Sequence, residues 1–212
     1  MRNLLLAAGA VLALAAGPAH AVAVTDPVGD FLPSFIGDPT LDTDLDVTAF
    51  SVTYDPNALM FNFSATLAGD IDPSRPGLYV IGANTGTGTI RPFADIGAPN
   101  VIFNQAIVVR KTGVAGVGAN PLTATIAGNS FSLVVPLALL PNTRFSPYNY
   151  GFNIWPRVAT GNNNQISDFA PNNATVAPAP EPATWALMII GFGLVGTALR
   201  RRNPWAVNPV PV

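Results

Sequence analysis

Between residues 45 and 155 apolar and polar side chains alternate with a period of two, the repeat of a strand that buries one face. Residues 45–54 form the first such run. Asp55-Pro56-Asn57-Ala58 then supplies a turn, with proline where a type I turn accepts it. Beyond it Leu59, Phe61, Phe63, Ala65 and Leu67 fall on one side, and Met60, Asn62, Ser64 and Thr66 on the other. This pair predicts a hairpin with an apolar face and a mostly polar one. Further strands are predicted at 78–83, 101–110, 122–127, 131–135 and 148–155, with Gly128-Asn129 as a hairpin turn and 136–140 as a single helical turn. Residues 82–88 and 112–120 read as glycine-containing loops. No long helical period and no internal repeat interrupt the pattern. The predicted fold is all-β: a single antiparallel β-sandwich, jelly-roll-like.

The pattern changes at both ends. Arg2, an apolar stretch over 4–16 and the small-x-small triplet Ala19-His20-Ala21 predict a signal peptide over 1–21, so that the mature chain begins at Val22. Residues 22–169 then suffice for one domain with a sizeable core. Residues 170–179 are small, proline-rich and uncharged, and read as an extended linker that lifts the domain off a membrane. From Trp185 to Leu199 runs an apolar stretch, shorter than the ~20 residues of an ordinary spanning helix. Extended by Thr184 it predicts a transmembrane helix over 184–199. Trp185 would anchor one boundary, Arg200, Arg201 and Arg202 would form a cytoplasmic stop, and 203–212 a cytoplasmic tail.

Pro180-Glu181-Pro182, the nearby Trp185, the apolar run with Gly191, Gly193 and Gly196, and the arginine cluster together resemble the PEP-CTERM sorting signal of Gram-negative bacteria. The resemblance implies an exosortase-like processing enzyme as partner, with recognition at Pro180, Glu181, Pro182 and Trp185. It implies an inner-membrane-anchored precursor, removal of the helix, and release or attachment at the cell surface. Exopolysaccharide or biofilm matrix is the setting such proteins share. Glu181 is the sole glutamate in the chain, beside eleven aspartates, which fits a residue kept for recognition. The tail after the arginines departs from the usual pattern.

The middle region also loosely resembles the secreted sandwich modules of the DOMON and family-9 carbohydrate-binding type. The resemblance rests on an opening Asp-Pro-x-Gly-Asp at 26–30, a strand at 47–55 ending Tyr-Asp, Leu-x-Phe-x-Phe at 59–63, and Phe-x-x-x-x-Pro-Leu-x-x-Leu at 131–140. It implies a sandwich and hints at a glycan ligand.

Composition narrows the chemistry. Loss of 1–21 removes His20, the sole histidine, and the chain has no cysteine. Disulfides, histidine metal sites, and Ser-His-Asp or Cys-His catalysis are thereby excluded. Lys111 is the sole lysine, so lysine-based covalent chemistry would depend on that one residue. Paired aspartates leave an Asp-dependent hydrolase open, tested through Asp42 and Asp44, but the expected role is non-catalytic. In the middle region eleven aspartates face five arginines and one lysine, which disfavours nucleic acid as a partner.

Two candidate binding sites remain. Asp38, Asp42, Asp44 and Asp46 lie close together, with Asp26 and Asp30 upstream. Hard carboxylate oxygens without softer ligands suit Ca²⁺. On an extended strand Asp42, Asp44 and Asp46 would point to one side. The same residues also fit a solvated acidic loop. Tyr148, Tyr150 and Trp155 lie in one predicted strand with Phe152, Asn149 and Asn153, an arrangement that suits either stacking on a saccharide or a core strand.

Overall fold

The computed structural model describes residues 23–88, 91–178 and 189–194. The alternating segments build strands β1 (Ala23–Thr25), β2 (Val47–Asp55), β3 (Met60–Leu67), β4 (Leu78–Asn84), β5 (Gln105–Arg110), β6 (Val114–Val117), β7 (Asn120–Thr123), β8 (Thr125–Ala127), β9 (Ser130–Pro136) and β10 (Gly151–Arg157). They form two five-stranded sheets, in the orders β1-β2-β3-β9-β8 and β10-β4-β5-β6-β7. Every pairing is antiparallel.

The predicted hairpin has its reason in burial. Phe61, Phe63, Ala65 and Leu67 are buried, whereas Asn62 and Ser64 are exposed. The turn before β3 is closed by Asp55, whose Oδ1 accepts the N–H groups of Asn57 and Ala58. Rings from opposite sheets meet between the layers. Phe152 of β10 stands edge-on to Phe61 and Phe63, with centroids 5.3 and 5.1 Å away. Tyr79 of β4 stacks on Phe131 of β9 at 4.9 Å.

A second, smaller core lies on the other face of the β10-β4-β5 sheet. Leu78, Val80 and Trp155 are covered there by Phe93, Ala98, Val101 and Phe169. This explains why β4 is buried on both faces along nearly its whole length. Gly82 makes the arrangement possible: a Cβ at that position would lie 2.4 Å from the Trp155 ring, so only hydrogen leaves room for the indole.

Several predicted elements are corrected. The strand expected over 101–110 begins at Gln105, because 101–103 leaves the sheet to cover its outer face. The strand expected over 122–127 is two strands, β7 and β8, meeting at Ala124, whose N–H bonds Gly113. The loop expected over 112–120 contains β6. The loop expected over 82–88 overlaps the end of β4. The strand expected from Tyr148 begins at Gly151, after a 3-10 turn over Pro147–Asn149. The free linker expected over 170–179 is largely part of the fold: Ala170 and Val176 bridge Ile154 and Phe152 of β10, and Asn153 Nδ2 donates to the carbonyls of Pro171 and Ala174 at 2.6 and 2.9 Å.

The chain divides into two units, and the sandwich belongs to the unit His20–Glu181. In the other unit the described residues, 189–194, are helical. The remainder of the predicted span 184–199, the signal peptide 1–21, the arginines 200–202 and the tail 203–212 lie outside the described residues. Among the described residues no helix is long and apolar enough to cross a membrane.

Candidate functional site

The six aspartates singled out from the sequence fall into two groups. The expectation that Asp42, Asp44 and Asp46 line one side of a strand is overturned. They sit on and around a 3-10 turn, Thr43–Leu45, and the three carboxylates meet different partners, Arg75, Lys111 and the Gly29 N–H. Asp42 forms an ion pair with Arg75 at 2.7 Å and also accepts the Asp38 N–H. Asp44 meets the Lys111 ammonium at 2.7 Å, both side chains only 3% exposed. That contact is an ion pair rather than an aligned hydrogen bond. Asp38 is exposed and binds Thr40 through its backbone N–H and hydroxyl. These three carboxylates are already matched, two by cations and one by local donors. Neither Asp42 nor Asp44 is placed as half of a free acid–base pair, and Lys111 is enclosed by its partner.

Asp26, Asp30 and Asp46 are different. Asp26 and Asp30 converge with Asp168, a residue that the sequence reading did not single out, and Asp46 lies near enough for its charge to act on Asp26. Ligand oxygens of Asp26, Asp30 and Asp168 lie within 4.8 Å of one another. The corner is built from both ends of the sandwich. Asp26 directly follows β1, and its N–H bonds the Thr48 carbonyl of β2. The 26–30 loop turns through Gly29, whose φ of 83° belongs to the left-handed region that glycine enters freely. The Gly29 N–H then donates to Asp46 Oδ2 at 2.7 Å, drawing Asp46 beside Asp30. Asp168, fully buried, accepts the N–H groups of Val47 at 2.9 Å and Phe169 at 2.6 Å. Asn172 Nδ2 bridges Asp26 Oδ1 and Asp30 Oδ2, each at 3.2 Å.

The electrostatics of this corner are unfavourable for four negative charges. Burial, reinforced by Asp30 and Asp46, pushes the Asp26 carboxyl up to about 7. Burial raises Asp168 to about 8; the Val47 N–H works against the rise, and the charges of Asp26 and Asp30 add to it. Asp46 is raised as well, by burial first, although the Gly29 N–H opposes the shift and Asp30 adds to it. Asp42 and Asp44, close to Asp46 in the chain, hold Arg75 and Lys111 for themselves. Buried oxygens Asp26 Oδ2, Asp30 Oδ1 and Asp46 Oδ1 accept no hydrogen bond.

The aromatic platform is also corrected. Tyr150 is fully buried; it stacks on Phe61 at 5.5 Å and donates its hydroxyl to the Leu140 carbonyl at 3.1 Å. Trp155 is buried on the opposite face of the same sheet, 4.8 Å from Phe103. Only Tyr148 reaches solvent, with its ring edge-on to Tyr54 at 5.2 Å. No shared surface joins the three rings.

Fold and chain order together define a β-sandwich whose last bridge among the described residues, at Val176, directly precedes a C-terminal sorting segment. The chain carries a PEP-CTERM sorting signal: residues 178–202 match the PEP-CTERM protein-sorting motif, a stretch that includes Pro180, Glu181, Pro182, Trp185 and Arg200–Arg202. These named motif residues all lie outside the described ones. The motif marks a protein sorted by exosortase to the surface of Gram-negative cells. No curated protein and no solved structure matches the chain.

Proposed function

We propose that this chain is a non-catalytic component of the cell surface or its exopolysaccharide matrix, displayed through its sorting motif. The observation that carries the reading is the junction at 176–178. Among the described residues the sandwich makes its final bridge at Val176, and the motif begins two residues later at 178. A processing enzyme acting at Pro180–Pro182 would thus cut just beyond a finished domain and leave its hydrogen bonds intact.

The side chains favour a structural role over chemistry. The chain's one lysine is buried against Asp44, and its most concentrated aromatic residues fill the two cores instead of facing solvent. Membrane attachment before processing and matrix association afterwards are parts of the same reading.

Intact mass of the native protein, taken from the cell surface and from the medium, tests it. The expected species begins at Val22 and ends within Pro180–Pro182, and Glu181→Gln accumulates the uncut form. A surface species that still carries Trp185–Val212 would sink the reading and leave a plain anchored protein.

A further inference from the structure

We propose that Asp26, Asp30, Asp46 and Asp168 bind one calcium ion, which clasps the first and last segments of the sandwich together.

Three observations carry this beyond a cluster of acidic residues. The first is convergence: oxygens of Asp26, Asp30 and Asp168 already lie within 4.8 Å of one another, a separation that a single ion with ligands at about 2.3–2.6 Å can span. The second is Asp46, only 1% exposed, whose Oδ1 is buried and accepts no hydrogen bond. The Gly29 N–H holds the other oxygen of Asp46 beside the 26–30 loop, and its charge acts on Asp26 as that of Asp30 acts on it. The third is that Asp26 Oδ2 and Asp30 Oδ1 are likewise buried without a donor. A buried carboxylate oxygen without a donor costs free energy that a cation recovers.

The chemistry of the donors selects the ion. All are hard oxygens, and the chain has no cysteine and, apart from His20 in the predicted signal peptide, no histidine, which leaves no softer ligand for zinc or copper. Calcium accepts six to eight oxygens in irregular geometry, whereas magnesium demands a near-ideal octahedron and keeps its waters. The Asn172 amide completes the set: rotated by half a turn, it presents its oxygen in place of the Nδ2 that now bridges Asp26 and Asp30. The backbone N–H groups on Asp168 fix its carboxylate from behind, in the manner of an outer-shell support.

The test is calorimetric titration of the full-length exported protein with CaCl₂ after EGTA treatment, paired with thermal unfolding in EGTA and in calcium. One calcium per chain is expected, with a rise in Tm. Asp30→Asn should weaken affinity at least ~10-fold. The same variant should unfold at a higher temperature than the parent in EGTA, because it removes one of the crowded charges, and should lose the calcium-induced rise. Asp42→Asn, whose carboxylate belongs to Arg75, should retain the full calcium response. Absence of both binding heat and a Tm change at millimolar calcium would overturn the proposal. So would an undiminished response in Asp30→Asn and Asp168→Asn, or a response abolished by Asp42→Asn instead. The readout does not depend on whether the sorting motif is cut.

Discussion

Lys111→Met removes the cation paired directly with Asp44, and its cost follows from where the pair sits. The two groups approach to 2.7 Å and each is 3% exposed, so water does little to screen them. Methionine keeps the length and apolar body of the lysine stem, leaving packing nearly unchanged. The loss is therefore electrostatic. Asp44 stays buried with only the Asp72 N–H, at 3.1 Å, as a donor to its Oδ2. Breaking a buried pair in this way costs about 3–5 kcal/mol, a large share of the ~5–15 kcal/mol that holds a domain folded. Replacing both partners, as Lys111→Met with Asp44→Asn, removes the stranded charge but keeps an acceptor for the Asp72 N–H. The double variant should recover most of the loss, a coupling of about 2 kcal/mol or more. Urea unfolding of the exported protein, followed by far-UV circular dichroism, measures all three variants against the parent. A Lys111→Met penalty below ~1 kcal/mol would refute the reasoning, as would a double variant that loses the sum of the two singles.

Three further outcomes are expected. In EGTA, stability contributed by Asp26 and Asp168 should be fully present below the ordinary carboxylate value of about 4 and should fall as pH rises through about 7 and 8, since both folded-state values are raised; a calcium-free stability that climbs from pH 5 to 8 would contradict the placement of these groups, and saturating calcium should flatten the fall. Gly82→Ala places a methyl 2.4 Å from the Trp155 ring and should cost about 1–3 kcal/mol, with a changed near-UV spectrum; an unchanged unfolding midpoint would count against the close packing. Tyr150→Phe deletes the donor to the Leu140 carbonyl inside the core and should cost about 1 kcal/mol in the same urea assay, whereas a neutral result would mean that the carbonyl finds water.

The legible parts of the fold were those whose two faces differ. β3 was readable because Phe61 and Phe63 go inward while Asn62 and Ser64 go outward, and the Asp55 turn announced its start. Residues 101–103 were misread because an apolar segment that covers a sheet has the same composition as one that joins it. β6 was hidden by Gly116 within it and by Gly113 and Gly118 on either side, and only the neighbouring strands β5 and β7 fix it as a strand. The 170–179 segment has linker composition throughout; what folds it is the open edge of β10, which lies elsewhere in the sequence. At the acidic corner, the Asp-Pro-x-Gly-Asp run at 26–30 was visible. Asp168 was not, because it is one aspartate between a serine and a phenylalanine, and its partners come from the opposite end of the domain. Of the aspartates crowded at 38–46, Asp42 and Asp44 spend their charges on Arg75 and Lys111, and only Asp46 belongs to the acidic corner.

The joining of first and last segments also imposes an order in time. Asn172 reaches back to Asp26 and Asp30 across sequence separations of 146 and 142, and Asp168 reaches the Val47 N–H across 121. A chain delivered N-terminus first presents β1 and its acidic loop long before the residues that close over them, and contacts of such separation are the slow ones to form. The early part of the sandwich must therefore persist with an open corner until 168–176 arrives. The next residues to emerge are those of the sorting motif. Completion of the fold and presentation of the address thus fall at the same moment, and a chain cut short before 168 would carry neither.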